Sequence, residues 1–459
     1  MGYLIIPASK EYGEIERMKI GLVGDGGREH AIARKIAESS QAELFVAAKN
    51  INHGIRSIAK GYAQLNMTDL DGIVAYFEQN QVGLVVIGPE ATLIAGIVDK
   101  LRAKGILAVG PTQQQARLEG DKSFMRYLLN EKIGWGSPAW KLVASIKEAE
   151  AFIRSQGEVV VKPVGLTGGR GVRVMGVQLK DINEALSFIQ ELLETNSSVL
   201  LEEKVIGQEF SRLAFICDGK VIPMPVMQDF KYAYDGDKGM MTGGMGTYSF
   251  ADGKMPFLTS DEIKTADKLL EEVIAALEKE TGEPYRGFLY GQFMITRSGL
   301  RLIEFNVRLG DPEALNVNTL LEGDSAQLFE KLASGKLSKA DVQFKPMASV
   351  VKYLVPEEYP GKLTHDYFFN LDENKVSEAD FTLIQASVMK TGETEWKALG
   401  SRTMAIVGLG QEPAALAEKI DALIDELKPQ GLRYRKDVGN RDNILQKVEM
   451  MNRIRGVRK

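Results

Sequence analysis

From residue 19 to residue 112, apolar runs of strand length alternate with longer amphipathic stretches, a pattern that restricts this part of the chain to parallel βαβ units. The spacing predicts strands over 19–23, 44–47, 84–87 and 107–109. Three of these runs lead at once into Gly, Asp, Pro or Glu, and ligands of open α/β sheets collect at such strand ends. A nucleotide-binding type of unit is therefore expected first. A helix over 122–131 and an irregular stretch over 133–138 then mark a boundary. Between about 135 and 205 a small unit is expected, with a strand over 158–162, a glycine loop, a strand over 172–175 and a helix over 182–193. Residues 199–325 read as a strand-rich body with dense polar punctuation. Past residue 341 the pattern is plainer, with strands over 348–355, 381–389 and 403–407 and a helix over 414–427. At roughly 100–200 residues per domain, 459 residues suit about three domains.

Composition removes several classes of function. With 44% hydrophobic and 26% charged residues the chain is of the ordinary globular kind. The balance of 57 basic against 62 acidic side chains leaves a net charge of −5, so no general attraction to nucleic acid or anionic lipid is expected. Apolar stretches such as 82–87 fall far short of the roughly 20 residues that span a bilayer. One cysteine, Cys217, allows neither an internal disulfide nor a multi-Cys zinc site and suits a reducing, cytoplasmic setting. Residues 1–17 contain the apolar Tyr3-Leu4-Ile5-Ile6 but no basic start, long apolar core or cleavage site, and are expected to be either a disordered leader or the product of an upstream start codon, without an assigned role.

Several motifs could carry chemistry. Gly24-Asp25-Gly26-Gly27-Arg28-Glu29-His30 lies between a strand and a helix, where free amides and the helix dipole favour a phosphate; a tight turn without a ligand would look the same. It is not a dinucleotide fingerprint, because Glu29 fills the sixth position and the second strand runs into Lys49-Asn50 instead of an acid. Gly88-Pro89-Glu90 gains weight only from its place at the same sheet edge. The run from Lys162 through Gly165, Gly168, Gly169, Arg170 and Gly171 to Val172 is a glycine hairpin able to fold amides over phosphates, and alone it could be a plain surface hairpin. It is not a Walker A loop, since no Gly-Lys-Ser/Thr occurs and a strand follows. The extended segment before Glu209 could offer backbone groups to an adenine edge and the acid to a ribose. Residues 235–246 form a further glycine loop.

The sharpest constellation runs from Gly287 to Asn306. Two apolar strands flank Arg297-Ser298-Gly299, which reads as a hairpin turn. With Ser298 as its centre, Gln292 and Glu304 oppose each other, and Asn306 shares their face because side chains alternate with period two. Three convergent oxygen donors of this kind suit Mg²⁺ bridging phosphates. Arg308, Asp311 and Glu313 crowd directly behind, and so much charge in so short a stretch points to function. Cys217 reads as a buried hydrophobe and His53 and His365 as surface or loop residues, while His30 fits capping, packing or substrate contact equally.

Taken together these residues resemble the phosphoribosylamine–glycine ligase family, ATP-grasp enzymes of purine synthesis. The resemblance is carried by Gly24 to Ala31, Gly88-Pro89-Glu90-Ala91, Gly120-Asp121-Lys122-Ser123, the loop from Lys162 to Val172, Thr242-Gly243-Gly244-Met245-Gly246, Gly287-Phe288-Leu289-Tyr290, Glu304-Phe305-Asn306, Arg308, and Gly310-Asp311-Pro312-Glu313. It covers about 18–325 in order and spacing and continues more loosely through Tyr359-Pro360-Gly361 and Arg435-Lys436-Asp437-Val438-Gly439. It implies an α/β chain with a parallel-sheet, Rossmann-like N-terminal domain (18–118), an ATP-grasp core (119–325) with a mobile lid (about 135–205), and a C-terminal α+β domain (335–450). The implied reaction joins glycine to 5-phosphoribosylamine with ATP through glycyl phosphate, with no nucleic-acid or membrane partner, in a monomer or small homo-oligomer. By motif, Gln292, Glu304 and Asn306 would hold Mg²⁺ or Mn²⁺, and Lys122, Lys162, Gly168, Gly169, Arg170 and Gly171 the phosphates of ATP. Glu202, Lys204, Val205 and Glu209 would line the adenosine pocket. Gly24, Gly27, Arg28, Gly88, Glu90, Asp229, Gly244 and Arg308 would face phosphoribosylamine and glycine, with Arg308 and Lys162 catalytic.

The chain departs from the family pattern at Arg170 in place of a lysine, Met241 in place of an asparagine, and Tyr232 in place of a cation. Two rival readings share the fold: an ATP-grasp carboxylase acting on bicarbonate, and a nucleotide-binding regulator without turnover. The intact set of Gln292, Glu304 and Asn306 speaks against the regulator.

Overall fold

Five parallel strands, Met18–Val23, Ala42–Ala48, Gly61–Gln64, Leu84–Ile87 and Leu107–Val109, build the N-terminal sheet in the spatial order third, second, first, fourth, fifth. The computed structural model describes residues 17–165 and 171–456, so residues 1–16 of the expected leader and Gly168, Gly169 and Arg170 of the expected lid loop lie outside it. The four expected strands of this sheet are present. Gly61–Gln64 was not anticipated because an edge strand reading Gly-Tyr-Ala-Gln has no apolar run. Ile20, Leu22, Val23, Val85 and Val86 are fully buried because helices cover both faces of the sheet. The strand order reverses between Met18–Val23 and Leu84–Ile87. The loops Gly24–Gly26 and Gly88–Pro89 therefore leave neighbouring carboxyl ends at the switch point, where such sheets bind ligands.

The small unit is a four-stranded antiparallel sheet, Trp140–Val143, Val199–Glu203, Val159–Pro163 and Arg173–Val174 in that spatial order. Helices Ile146–Gln156 and Ile182–Thr195 close a core of its own around Val143, Val159, Val161, Ile189 and Leu201. The expected helix 122–131 is shorter. It is α-helical over Lys122–Tyr127 and continues as a wider π-turn over Leu128–Ile133. The reason is local: the Asn130 side chain donates to the Arg126 carbonyl at 2.7 Å, and the Gly134 amide, at φ 86°, reaches back to the Leu129 carbonyl.

The body sheet runs Lys220–Pro223, Gly207–Cys217, Arg286–Thr296, Gly299–Asn306 and is antiparallel throughout. Its segments Gln228–Asp229 and Gly246–Ser249 leave it and join the C-terminal sheet beside Ala348–Pro356. Two sequence-distant parts of the chain thus share one six-stranded sheet. The expected strand 381–389 is broken. Thr382–Gln385 belongs to that sheet, whereas Val388–Lys390 pairs with Glu395–Ala398 in a three-stranded one, because Ala386 and Ser387 give their amides to the Thr403 and Arg402 carbonyls. Cys217 is buried, and His53, instead of lying in a loop, opens the helix His53–Ile58. Among the described residues no helix is long and apolar enough to cross a membrane.

Candidate active site

At the N-terminal loop the helix Gly27–Ala37 brings its own anion. Glu29 is 3% exposed and accepts the Gly26 amide at 2.8 Å and Arg28 Nε at 2.8 Å. A Cβ at Gly88 would collide with Glu29 Oε1, and one at Gly24, where φ is 113°, would stand 2.7 Å from its Cγ. These two glycines therefore make room for a side chain in addition to any phosphate. Arg28 also donates to the Leu309 carbonyl at 2.9 Å and lies 3.6 Å from Glu90. Burial disfavours the Glu90 carboxylate, but Arg308, at 3.3 Å, and Arg28 more than offset this and hold it at about 2. Arg308 reaches Glu119 at 2.9 Å and Asn306 Oδ1 at 3.0 Å. Glu119 also accepts the Val307 amide, and burial, with Glu90 adding to it, pushes it up to about 7 against the pull of Arg308. The result is an alternating chain, Glu29, Arg28, Glu90, Arg308, Glu119. His30 stands apart from it. The His30 ring accepts the Gln385 amide at 2.8 Å, and burial, then Arg34, hold it neutral at about 3, so it clasps the C-terminal sheet.

In the hairpin, Thr296 pairs with Gly299, so the turn contains only Arg297 and Ser298 and is centred half a residue before Ser298. A bulge at Ile303 restores the register, and Gln292 does oppose Glu304, as Tyr290 opposes Asn306. The expected pairing is present, but it depends on the bulge. Ile303, left unpaired, offers its carbonyl to Arg126 at 3.0 Å and Lys162 at 3.4 Å. Gln292 is fully buried. Its Oε1 accepts the hydroxyls of Ser211, at 3.2 Å, and Tyr290, while its Nε2 donates to Glu209 at 2.9 Å and Asp229 at 3.4 Å. Of the three expected metal ligands, Glu304 and Asn306 present oxygen, and a ligand role for Gln292 requires its amide to turn over. The ammonium of Lys231 lies 3.8 Å from Glu304 and 3.9 Å from Glu209 and Asp229. Burial opposes its charge, but Asp229, Glu304 and Glu209 prevail and raise its pKa. Asp229 is pushed up to about 7, first by burial and then by Glu313, Glu209 and Glu304, with Lys231 opposing. Glu304, whose side chain is partly open to solvent, lies the other way: its enclosed setting disfavours its charge, yet Lys231, Lys162, Arg308 and Lys122 hold it below the usual range.

On the phosphate side, Lys162 binds Glu202 at 2.6 Å, and Arg126, wholly buried, grips the other oxygen of Glu202 from Nε at 2.8 Å and Nη2 at 2.7 Å. Glu202, expected in the adenosine pocket, thus commits its carboxylate to two cations. Lys122 rests on the Pro163 and Gly165 carbonyls, and burial followed by Lys162 lowers its pKa. Lys204 bonds Glu158 at 2.7 Å and the Met175 carbonyl at 2.9 Å. Val205 is half-buried between two strands, and Gly171, at φ 103°, leads into Arg173–Val174.

The expected loop 235–246 is largely a hairpin, Tyr232–Tyr234 against Lys238–Met241, followed by a turn in which Gly244 has φ 115°. Arg402, in the loop leading into the C-terminal-sheet strand Met404–Gly410, reaches this turn and Asp311, and Tyr353 of that sheet reaches Asp311. Sequence reasoning missed these two, along with Arg126, Glu119 and Lys231. Only Lys231 carried a local signal, two residues after Asp229.

A family model described as phosphoribosylglycinamide synthetase, N domain, matches residues 18–119, and one described as phosphoribosylglycinamide synthetase, ATP-grasp (A) domain, matches residues 120–314. The chain is 41% identical over 441 residues to a phosphoribosylamine–glycine ligase of Pyrococcus furiosus, covering 96% of this chain and 98% of that protein. A ligase of the same name from Methanopyrus kandleri is 39% identical over 448 residues, with 96% and 100% covered. In structure the chain is similar to phosphoribosylamine–glycine ligase of Thermotoga maritima, with a TM-score of 0.76 at 24% identity over 92% of this chain and 100% of that one. It shares its fold as well with a biotin carboxylase of Campylobacter jejuni, with a TM-score of 0.70 at 15% identity over 95% and 96% of the two chains.

Proposed function

The chain belongs to the phosphoribosylglycinamide synthetase family, and from that premise we propose that it is an ATP-dependent carbon–nitrogen ligase joining glycine to 5-phosphoribosylamine in purine biosynthesis. A glycine carboxylate oxygen attacks the γ-phosphorus of ATP, ADP leaves, and glycyl phosphate forms. The amine nitrogen of phosphoribosylamine then attacks the acyl carbon, phosphate departs, and the nitrogen gives up a proton, leaving glycinamide ribonucleotide. Such a reaction depends on positioning and charge compensation. Lys122 and Lys162, with the lid residues 168–171, face the phosphates of ATP. Lys204, Val205 and Glu209 line the adenosine side, and Glu202 acts by holding Lys162. Arg28, Glu90, Asp229 and Arg308 face phosphoribosylamine and glycine, with Gly24, Gly27, Gly88 and Gly244 shaping the loops around them. Mg²⁺ or Mn²⁺ would be held by Glu304 and Asn306, joined by Gln292 after its amide turned, and would neutralise phosphate oxygens when bound. We place the enzyme in the cytoplasm, as a monomer or small homo-oligomer, with domains over 18–118, 119–325 and 335–450.

The observation carrying this reading is that two charge sets meet at one point. The acids around Lys231 and the alternating chain through Arg28 and Arg308 come together at one strand end, where Arg308 donates to Asn306 at 3.0 Å, two residues from Glu304, and helps hold Glu304 below the usual range. The test is ADP release by the purified protein with Mg²⁺, ATP, glycine and phosphoribosylamine made fresh from ribose 5-phosphate and ammonia, leaving out each in turn, with product mass read in parallel. ADP that requires both glycine and the amine, with a product of the mass of glycinamide ribonucleotide, is the expected result. ADP that depends on bicarbonate and ignores glycine would instead make the protein a carboxylase.

A further inference from the structure

The C-terminal sheet, through Tyr353, and the loop entering its strand Met404–Gly410, through Arg402, contribute side chains to the rim of the site. Arg402 Nη1 donates to the carbonyls of Gly243 at 2.9 Å, Gly244 at 3.2 Å and Asp311 at 2.6 Å, and its Nη2 donates to Asp311 Oδ2 at 3.0 Å. Tyr353 lies beneath it, 4.9 Å from guanidinium carbon to ring centre, and donates its hydroxyl to Asp311 Oδ1 at 2.6 Å. One planar guanidinium therefore gathers two turns that are 67 residues apart, 244 against 311, and a lysine could not reproduce that fan. Each turn leads into the site. Thr242 gives its amide, at 2.6 Å, and its hydroxyl, at 2.8 Å, to the Lys231 carbonyl, and the Gly244 amide returns to Thr242 Oγ1 at 3.0 Å. Asp311 lies three residues beyond Arg308. A third contact concerns the N-terminal helix: a Cβ at Gly27 would collide with the Tyr353 hydroxyl, so that hydroxyl packs directly against the first turn of the helix that carries Arg28.

We infer that Arg402, with Tyr353 as its support, is a positioning residue for the amine-accepting half of the reaction, holding the 242–244 turn and the 308–311 turn at the spacing that phosphoribosylamine and glycine require. The inference rests on the ligase reading above. Lys122, Lys162 and Glu202 of the phosphate side have no bond to Arg402 or Tyr353 among the described contacts, so the ATP half does not depend on this clamp. Arg402 touches loops, and its effect on chemistry is indirect.

The test uses the full-length protein. Wild type is assayed first for ADP release that requires both glycine and phosphoribosylamine; absence of that dependence refutes the ligase reading itself, before any variant is compared. Then Arg402→Lys, Arg402→Met and Tyr353→Phe are titrated separately with ATP, glycine and phosphoribosylamine. Arg402→Met is expected to raise KM for phosphoribosylamine by about tenfold or more, since charged hydrogen bonds that hold two loops are lost. Arg402→Lys should lie between it and wild type, and Tyr353→Phe should give a smaller rise, all with KM for ATP within about twofold of wild type. A purely structural role would lower thermal stability and shift all three substrates together, and that outcome overturns the inference. So does an unchanged KM for phosphoribosylamine in Arg402→Lys and Tyr353→Phe, the two variants that decide the matter if Arg402→Met does not fold.

Discussion

Glu202→Gln tests whether a buried acid organises the phosphate side. The Glu202 side chain is 3% exposed and accepts Arg126 at 2.7–2.8 Å on one oxygen and Lys162 at 2.6 Å on the other, while Arg126 is 0% and Lys162 7% exposed. Glutamine keeps one acceptor and turns an NH₂ group toward a cation that needs an acceptor, leaving two buried positive charges uncompensated. Removing one partner of a buried ion pair costs about 3–5 kcal/mol. With a urea slope near the upper end of about 3 kcal/mol per molar, the midpoint should fall by about 1 M or more. Trp140, the cross-strand partner of Glu202, makes tryptophan fluorescence the natural signal. The effect has a pH signature. Burial disfavours the Glu202 carboxylate, but Arg126 and Lys162 hold its pKa below the ordinary value, so its contribution is present above the unfolded-state value of about 4.3 and is lost as pH falls through the lower folded value. Wild type and variant should therefore differ fully at pH 7 and converge in strong acid. KM for ATP should rise with the loss, since Lys162 loses its anchor. A variant within about 1 kcal/mol of wild type at pH 7 would show that the two cations do not depend on Glu202.

Glu304→Ala should abolish ADP formation with the circular-dichroism spectrum and thermal midpoint kept, because the side chain is 43% exposed and its loss leaves no cavity; near-normal turnover would remove Glu304 from the metal site. Arg28→Ala should chiefly raise KM for phosphoribosylamine, by about tenfold or more given the charged bonds it makes, and an unchanged KM would take Arg28 out of the site. His30→Gln should flatten the pH dependence of stability. The folded His30 binds its proton only near pH 3 and the unfolded one near about 6.5, so in wild type this residue makes stability fall as pH drops through that window, by up to about 1.4 kcal/mol per pH unit. Equal slopes in chemical denaturation between pH 6.5 and 4 for the two proteins would refute the buried neutral clasp to Gln385.

What could be read from the sequence was what short-range periodicity encodes. The strands over 19–23, 84–87 and 107–109 were legible because a fully buried parallel strand is a continuous apolar run. The facing of Gln292 and Glu304 was legible because side chains alternate, although the bulge at Ile303 that preserves it was not. Partners far apart in the chain were hidden. Arg126 meets Glu202 across 76 residues and Arg402 meets Gly243 across 159, and nothing near either arginine announces its partner. The split of 381–389 was hidden for the same reason, since its two amides go to residues 402 and 403, in the loop just before the strand Met404–Gly410. Glu202 does lie on an extended segment, the strand Val199–Glu203, but its two cationic partners, invisible locally, take up its carboxylate.

A chain of net charge −5 that must take up polyanionic substrates needs its cations gathered locally and prevented from repelling one another until the substrates arrive. The site achieves this by interleaving: Arg28 and Arg308 share Glu90, Arg126 and Lys162 share Glu202, and Lys231 is shared by Glu209, Asp229 and Glu304. Among the described residues Lys122 is the exception, resting on the backbone carbonyls of Pro163 and Gly165 instead of on a carboxylate. A carbonyl is a weaker partner than an ionised acid. Of the described cations proposed for the phosphate side, Lys122 would therefore turn to an incoming phosphate at the least electrostatic cost, because it leaves only the carbonyls of Pro163 and Gly165.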